Sequence, residues 1–290
     1  MWTTIGDLMA VYNVAKKVVA EYDEVDILWP HGGLAELTPH CVNPKQAERR
    51  AHSYTTLIFV CGPLGNGLLP FFERFWHCKR IAVAVSILEG NPPERLVHAW
   101  YARDSKDGVG FDLALADIGY PHFVAPLAAR REGRANMCMV GLQNEYGGRC
   151  GNQLVDKYVR EAMHGKRRKW VNTLLDLDRA IPESTELDLQ GSEFMITTRL
   201  HGSLLSIFHK VPLVTFDQIR DGAKVTRVLG LLDQPVLQAW TTTTDEVTAA
   251  IEALPETHSE EKMEARKQKL VSLARASLDE AMTLIRAEMV

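Results

Sequence analysis

The stretch EFMITTRLHGSLLSIFHKVPLVTFD, Glu193 to Asp217, decides the fold. Glu193 to Thr197 is a short apolar run of the kind that forms a strand buried on both faces. Leu200 to Phe208 reads as a helix, and Val211 to Phe216 as a second buried strand. Strand, helix and strand in direct succession pair the two strands in parallel, with the helix as the crossover.

The alternation continues on both sides. Toward the C-terminus, Ala223 to Leu232 and Thr244 to Leu254 read as helices. His258 to Met289 reads as a long helix with an apolar stripe at Met263, Leu270, Ala274, Leu278, Met282 and Ile285. That length lets it cross back and pack on the first lobe. Toward the N-terminus come a helix at Gly151 to Met163 and a strand at Asn136 to Leu142. Pro126 to Arg134 has the composition of a linker.

Ahead of that linker a second alternating set begins with a helix at Gly6 to Glu21 and a strand at Val25 to Trp29. Thr55 to Cys61 is a strand running into the glycine-rich turn Gly62 to Gly67, followed by a helix at Leu68 to His77. Arg80 to Ser86 and Leu96 to Ala102 are strands, and Asp107 to Ile118 is a helix closed by Gly119. The expected organisation is two α/β lobes with mainly parallel sheets. They span residues 1–125 and 135–257, joined by 126–134, with a C-terminal helix at 258–290. Such sheets bind ligands at the carboxyl ends of their strands.

The chain has 290 residues, 46% hydrophobic and 24% charged, an ordinary globular balance. Its net charge of −4 excludes nucleic-acid binding by a general basic surface. Five cysteines, Cys41, Cys61, Cys78, Cys138 and Cys150, show no CxxC spacing, so a structural zinc site is not expected. No other metal site is expected either. The cysteine pattern suits a reducing compartment. Met1 to Tyr12 lacks a signal-peptide pattern, and no run reaches the ~18 apolar residues of a membrane span. The expectation is a soluble, cytoplasmic protein. The basic run Lys166 to Trp170 reads as a solvated loop, with contact to an anionic membrane face as the alternative.

The segment Thr198-Arg199-Leu200-His201-Gly202-Ser203 carries the sharpest chemistry. It lies where a strand ends and a helix begins, a natural anion site with free backbone N–H groups and a positive dipole end. Arg199 can grip a carboxylate or phosphate with two parallel hydrogen bonds. His201 can exchange a proton near neutral pH. Lys224, near the start of the next helix, could add a point charge or could be an ordinary solvated lysine. Gly62 lets backbone approach a ligand, although the spacing matches neither GxGxxG nor a P-loop. Asp7 and Arg103 each stand beside a helix start. Asp7 could cap its helix or point into a cleft, and Arg103 could face the cleft.

These segments resemble the polysaccharide pyruvyl transferases. Phe194 to Asp217, then Lys224-Val225 and Leu229-Gly230, is similar to the family's second-lobe pattern. Gly6-Asp7 resembles its Asn-x-Gly-Asp opening without the Asn, and Ala102 to Ser105 its Val-Arg-Asp segment. Val60 to Gly62 resembles its glycine-rich strand end, although Pro63-Leu64 stands where the family has further glycines.

The resemblance implies two Rossmann-like lobes, similar to GT-B glycosyltransferases. It implies pyruvyl transfer from phosphoenolpyruvate, a co-substrate with no cofactor besides, to a hydroxyl pair on a glycan acceptor, free or lipid-linked at the inner membrane face. His201 and Arg199 would be catalytic. Arg103, Lys224, Gly202, Ser203, Gly6, Asp7, Gly62 and Asp217 would bind substrate. A nucleotide-sugar glycosyltransferase of the same shape, or a catalytically silent homologue serving as a binding subunit, are the alternative readings.

Overall fold

The computed structural model describes residues 5–28, 35–87, 92–104, 110–117, 134–138, 150–164, 169–172 and 191–289. In chain order the first half holds α1 (Ile5–Glu21), β1 (Ile27–Leu28), β2 (Cys41–Val42), α2 (Pro44–Arg49), β3 (Thr56–Val60), β4 (Pro63–Leu64), α3 (Leu69–Glu73), β5 (Lys79–Ile87) and β6 (Ala99–Ala102). The second half holds β7 (Arg134–Cys138), α4 (Asn152–Ala162), β8 (Lys169–Asn172), β9 (Phe194–Thr197), α5 (Leu200–Phe208), β10 (Leu213–Asp217), α6 (Lys224–Gly230), β11 (Val236–Gln238), α7 (Thr244–Glu252), α8 (Leu254–Thr257) and α9 (Glu260–Met289). The chain divides into two compact units: Gly6–Pro121 with Leu273–Val290, and Met1–Ile5 with His122–Ser272.

The N-terminal unit is organised around β5. Its run Ile81 to Val85 is fully buried, so both faces must be covered and both edges paired. β3 pairs with it in parallel from Thr56 opposite Lys79 to Val60 opposite Val83, and β4 and β6 also pair with it in parallel. Ala84 adopts φ 55° at a register shift between Val83 and Val85, a bulge that re-aims the end of the strand. Leu64, Phe72, Ala82, Val85, Leu96 and Val97 form one core cluster. α1 buries Leu8, Met9, Tyr12, Ala15 and Val18, and Asn13 Nδ2 donates to the carbonyls of Leu113 and Ala114 at 2.7 and 3.2 Å.

The end of α9, from Leu273, belongs to this unit, as the length of the helix allows. Leu278, Met282 and Ile285 are buried, and Ser277 Oγ accepts from the Tyr101 hydroxyl and the Phe111 N–H, each at 3.0 Å. Tyr101 also donates to Glu280 at 2.7 Å. Burial and the Glu280 carboxylate hold its hydroxyl up at about 12.

The second unit holds a five-stranded sheet in the order β11-β10-β9-β7-β8, with every pairing parallel. Phe194, Ile196, Val214 and Phe216 pack with Val155 and Val159 of α4 and with Val247 and Ile251 of α7. Thr243 and Glu246 cap α7 reciprocally, which fixes where that helix starts. Among the described residues, no helix is long and apolar enough to cross a membrane.

Several sequence expectations change. The described part of Asp107 to Ile118, residues 110–117, is irregular rather than helical. The Asp112 carboxylate takes the Ala114 N–H at 2.9 Å, so a side chain competes for a donor that a helix would use. Gly110 packs so closely on strand β6 that a Cβ there would lie 1.8 Å from the Ala102 carbonyl oxygen. The helix expected at Leu68 to His77 is a 3-10 turn at Asn66–Leu68 followed by the short α3. β6 starts at Ala99, after a 3-10 turn at Pro93–Arg95. β7 begins at Arg134, the last residue of the expected linker, while 126–133 and 139–142 lie outside the described residues. Of the basic run, Lys169 and Trp170 open β8, and 166–168 lie outside the described residues.

Candidate active site

In the second unit, β9 ends at Thr197 and α5 starts at Leu200. Arg199 is the N-cap, with extended backbone at φ −96° and ψ 135°, and its side chain makes no capping bond. Its N–H donates to Thr197 Oγ1 at 3.0 Å, which sets the turn. His201 falls on the first turn of α5 and is 8% exposed. Ser203 is fully buried; its hydroxyl donates to the Arg199 carbonyl at 3.0 Å and lies 3.3 Å from Thr215 Oγ1. It thereby ties α5 to β10. Gly202 is buried and its carbonyl accepts from Ser206 Oγ at 2.7 Å.

Asp217 ends β10 and is completely buried. Its Oδ1 accepts from the Ile219 N–H at 3.0 Å. Its Oδ2 accepts from the N–H groups of Ala223 and Thr226 and from the Thr226 hydroxyl, at 2.7, 3.0 and 2.7 Å. In this arrangement Asp217 shapes the turn into α6, at whose first position Lys224 stands partly exposed. β9 and β10 are adjacent in the sheet, so Arg199, His201, Asp217 and Lys224 all lie at its carboxyl edge. Gln218 and Arg220 follow Asp217 on that edge; the Arg220 guanidinium stacks 4.1 Å from the Trp240 ring centre, and Trp240 Nε1 donates to the Gln218 carbonyl at 3.1 Å. This stack went unnoticed in sequence because nothing in residue order links positions 220 and 240.

In the N-terminal unit a second polar group gathers at the carboxyl ends of β3, β5 and β6. Arg103 follows β6 and is 2% exposed. Its Nη1 lies 2.7 Å from Asp112 Oδ2 and 2.9 Å from Cys61 Sγ, and its Nε donates to Ser86 Oγ at 3.1 Å. Cys61 donates in turn to Asp7 Oδ1 at 2.9 Å. Burial pushes the Cys61 thiol well above its ordinary value; Asp7 and Asp112 add to this and Arg103 opposes it. Desolvation opposes the Arg103 charge, but the surrounding Cys61, Asp112, Asp7 and Asp104 more than compensate and hold it.

Cys61 and Gly62 both adopt left-handed backbone, φ 63° and 84°. Glycine tolerates this; a cysteine there is strained and is held by its side-chain bonds. Gly6 is buried within α1, one residue before the half-buried Asp7. Of the sequence candidates, Asp7, Gly62 and Arg103 thus meet in this unit, while Arg199, His201, Gly202, Ser203, Asp217 and Lys224 meet in the other. Sequence reading missed Cys61, Ser86 and Asp112 as partners of Arg103. A carboxylate following the arginine in an apolar run, FDLALA, was the only available signal.

No protein-family model and no curated protein matches this chain. Among solved structures it is similar to the spinosyn rhamnosyltransferase SpnG complexed with thymidine diphosphate, with a TM-score of 0.51, 14% identity, and coverage of 96% of this chain and 97% of that one. It is also similar to SpnG complexed with spinosyn aglycone, at TM-score 0.43 and 13% identity, covering 97% of this chain and 94% of that one. A third likeness is to the calicheamicin glycosyltransferase CalG4, at TM-score 0.37 and 16% identity, covering 72% of this chain. The chain spans about half the length of CalG4, 52%. At these identities the likeness bears on fold alone, and it does so through the thymidine diphosphate complex of SpnG. The chain is an α/β protein of two Rossmann-like units with mainly parallel sheets, the fold of the GT-B glycosyltransferases.

Proposed function

We propose that this chain is a transferase of the glycosyltransferase kind, and that its second unit holds a phosphorylated donor at the junction of β9 and α5. The observation that carries the reading is the start of α5. Arg199 enters it with extended backbone as the N-cap residue, directly at the carboxyl end of β9, and His201 follows on the first turn. First-turn N–H groups, the helix dipole and a guanidinium at one point favour a phosphate.

A nucleoside-diphosphate sugar is the donor that the fold supports, since SpnG has been captured with thymidine diphosphate. The acceptor oxygen bonds to the anomeric carbon while the bond from that carbon to the diphosphate breaks. Arg199 and the helix terminus stabilise the charge that collects on the leaving oxygen. The order Thr198-Arg199-Leu200-His201-Gly202 supports a second reading, pyruvyl transfer from phosphoenolpyruvate. His201 would then protonate the methylene carbon, a sugar hydroxyl would attack C2, and a second hydroxyl would displace inorganic phosphate and close the ketal, the two hydroxyl protons going to solvent.

Calorimetric titration of thymidine diphosphate, uridine diphosphate and phosphoenolpyruvate separates the two. One class is expected to bind the wild type at micromolar levels and roughly 10- to 100-fold more weakly in Arg199→Ala, the loss of one or two charge-assisted bonds. His201→Ala is expected to abolish turnover with phosphoenolpyruvate while leaving its binding in place. Silence with all three ligands, or equal affinity in Arg199→Ala, would overturn the assignment.

A further inference from the structure

We propose that Arg220, held over the Trp240 ring, grips the nucleoside-linked phosphate of the donor while Arg199 grips the departing one, and that Trp240 is the positioning residue for the Arg220 guanidinium. The inference rests on the donor being a nucleoside diphosphate held by the second unit. Every residue in it belongs to that unit.

Sheet order gives the direction in which such a donor lies. In the order β11-β10-β9-β7-β8, β8 follows β7 on one side of it and β9 returns on the other, which opens a crevice between the carboxyl ends of β7 and β9. Arg199 and the start of α5 stand at that crevice, where the reacting end of the donor belongs. On the α5 side the sheet continues through β10 and β11, each about 4.8 Å further along. A diphosphate running out of the crevice in that direction meets the residues beyond Asp217 and Gln238, which are paired across β10 and β11. Arg220 closely follows the first and Trp240 the second.

That place is built to hold one side chain still. The Gln218 carbonyl accepts from the Gly151 N–H at 2.7 Å and from Trp240 Nε1 at 3.1 Å, so it ties the end of β10 both to the start of α4 and to the ring. Ile219, next in the chain, is buried and forms an antiparallel bridge with Cys150. Glycine at 151 leaves room for the ring, since a Cβ there would lie 3.0 Å from Trp240 Nε1 and 3.2 Å from Cε2. The backbone is thus fixed just before Arg220, and the ring is fixed beneath it. The Arg220 guanidinium lies 4.1 Å from the ring centre. Stacking engages the face of a guanidinium, whereas its N–H donors lie in the plane, so the stack aims the fork without spending it. An arginine aimed in advance gives up less freedom on gripping a phosphate than a solvated one.

Calorimetric titration of thymidine diphosphate and thymidine monophosphate into the full chain tests this, with uridine nucleotides in their place if those are the ones that bind above. The wild type is expected to hold the diphosphate about 10- to 100-fold more tightly than the monophosphate, because the second phosphate adds charge-assisted bonds. Arg199→Ala is expected to abolish that preference. Arg220→Ala is expected to weaken both nucleotides about 10-fold or more and to leave the preference intact. Arg220→Lys, a charge without the fork, recovers part of that loss. Trp240→Leu is expected to weaken both nucleotides about 3- to 10-fold, the worth of the stack. Trp240→Phe, which keeps a ring beneath the guanidinium, restores most of that loss and covers the case in which the leucine variant folds poorly. Unchanged affinity for both nucleotides in Arg220→Ala overturns the inference, while a diphosphate lost in Arg199→Ala keeps the donor reading standing. Loss of the diphosphate alone in Arg220→Ala also overturns it, by placing Arg220 on the departing phosphate. Binding of phosphoenolpyruvate and of neither nucleotide overturns it and leaves the second reading of the site. Wild-type affinity in Trp240→Leu, or a phenylalanine variant as weak as the leucine one, overturns the positioning role alone.

Discussion

Replacing Asp217 by asparagine keeps shape and volume but exchanges an acceptor for a donor in a completely buried place. Asparagine does best by putting its oxygen where Oδ2 now stands, which retains the three donors from Ala223 and Thr226. Its NH2 then faces the Ile219 N–H, donor against donor, at the site of a 3.0 Å bond. Three bonds lose their ionic acceptor, about 1 kcal/mol each, and one buried N–H loses its partner at about 1–3 kcal/mol. Relief from burying a charge offsets part of this, leaving a net loss of about 3 kcal/mol. The assay is urea unfolding, followed by amide exchange at Ala223 and Thr226. Faster exchange at those two amides is expected together with the global loss. Thr226→Val removes one of the donors and the 2.9 Å bond from Gln238, and is expected to cost about 2 kcal/mol. A loss under about 1 kcal/mol in Asp217→Asn, with both amides as protected as in wild type, would refute the view that this carboxylate builds the turn carrying Lys224.

Three further outcomes are expected. Gly110→Ala places a methyl 1.8 Å from the Ala102 carbonyl, a backbone atom that cannot step aside, so the unfolding free energy should fall by about 3 kcal/mol or more, with a lower melting temperature; an unchanged melt would contradict the packing. Asp112→Ala leaves the buried Arg103 without its ion-pair partner, at a cost of about 3–5 kcal/mol, while Arg103→Met with Asp112→Leu should recover much of it in thermal melts. His258 is buried, and with Arg266 and Lys262 nearby its pKa falls to about 4. The unfolded chain therefore binds the extra proton first. Stability from this site is complete above the ordinary pKa of about 6.5 and is lost as pH falls toward 4, on the order of 2 kcal/mol after allowing for solvent screening. His258→Gln should flatten that slope in denaturation series between pH 4 and 7, and an unchanged slope would discount the site.

The sequence by itself determined the α/β class, because parallel strands buried on both faces must be continuous apolar runs and their crossovers must be helices. Ile81 to Val85, Phe194 to Thr197 and Leu213 to Asp217 carried that signal and are buried; Thr56 to Val60 carried it too, yet every residue of β3 is only partly buried. The same reasoning located α5 and its Arg199 and His201, since a strand end followed by a helix start is a local pattern. The length of α9 likewise allowed its end to pack on the first lobe, and its apolar stripe required that it be buried somewhere. Short elements escaped: β8 and β11 are four and three residues long, too short for a period to show.

Only tertiary structure decided what the polar residues do. Arg103 could not reveal Cys61, Ser86 and Asp112 as partners, because the ends of β3, β5 and β6 and the irregular segment holding Asp112 meet only in the folded chain. Asp217 reads in sequence as a candidate ligand contact, and its four donors are visible only once the chain turns back at Ala223 and Thr226. Residues 110–117 failed as a helix for the same reason. An apolar period is a local property, whereas the Asp112 carboxylate and the close approach of Gly110 to Ala102 are set by what the folded chain brings beside them.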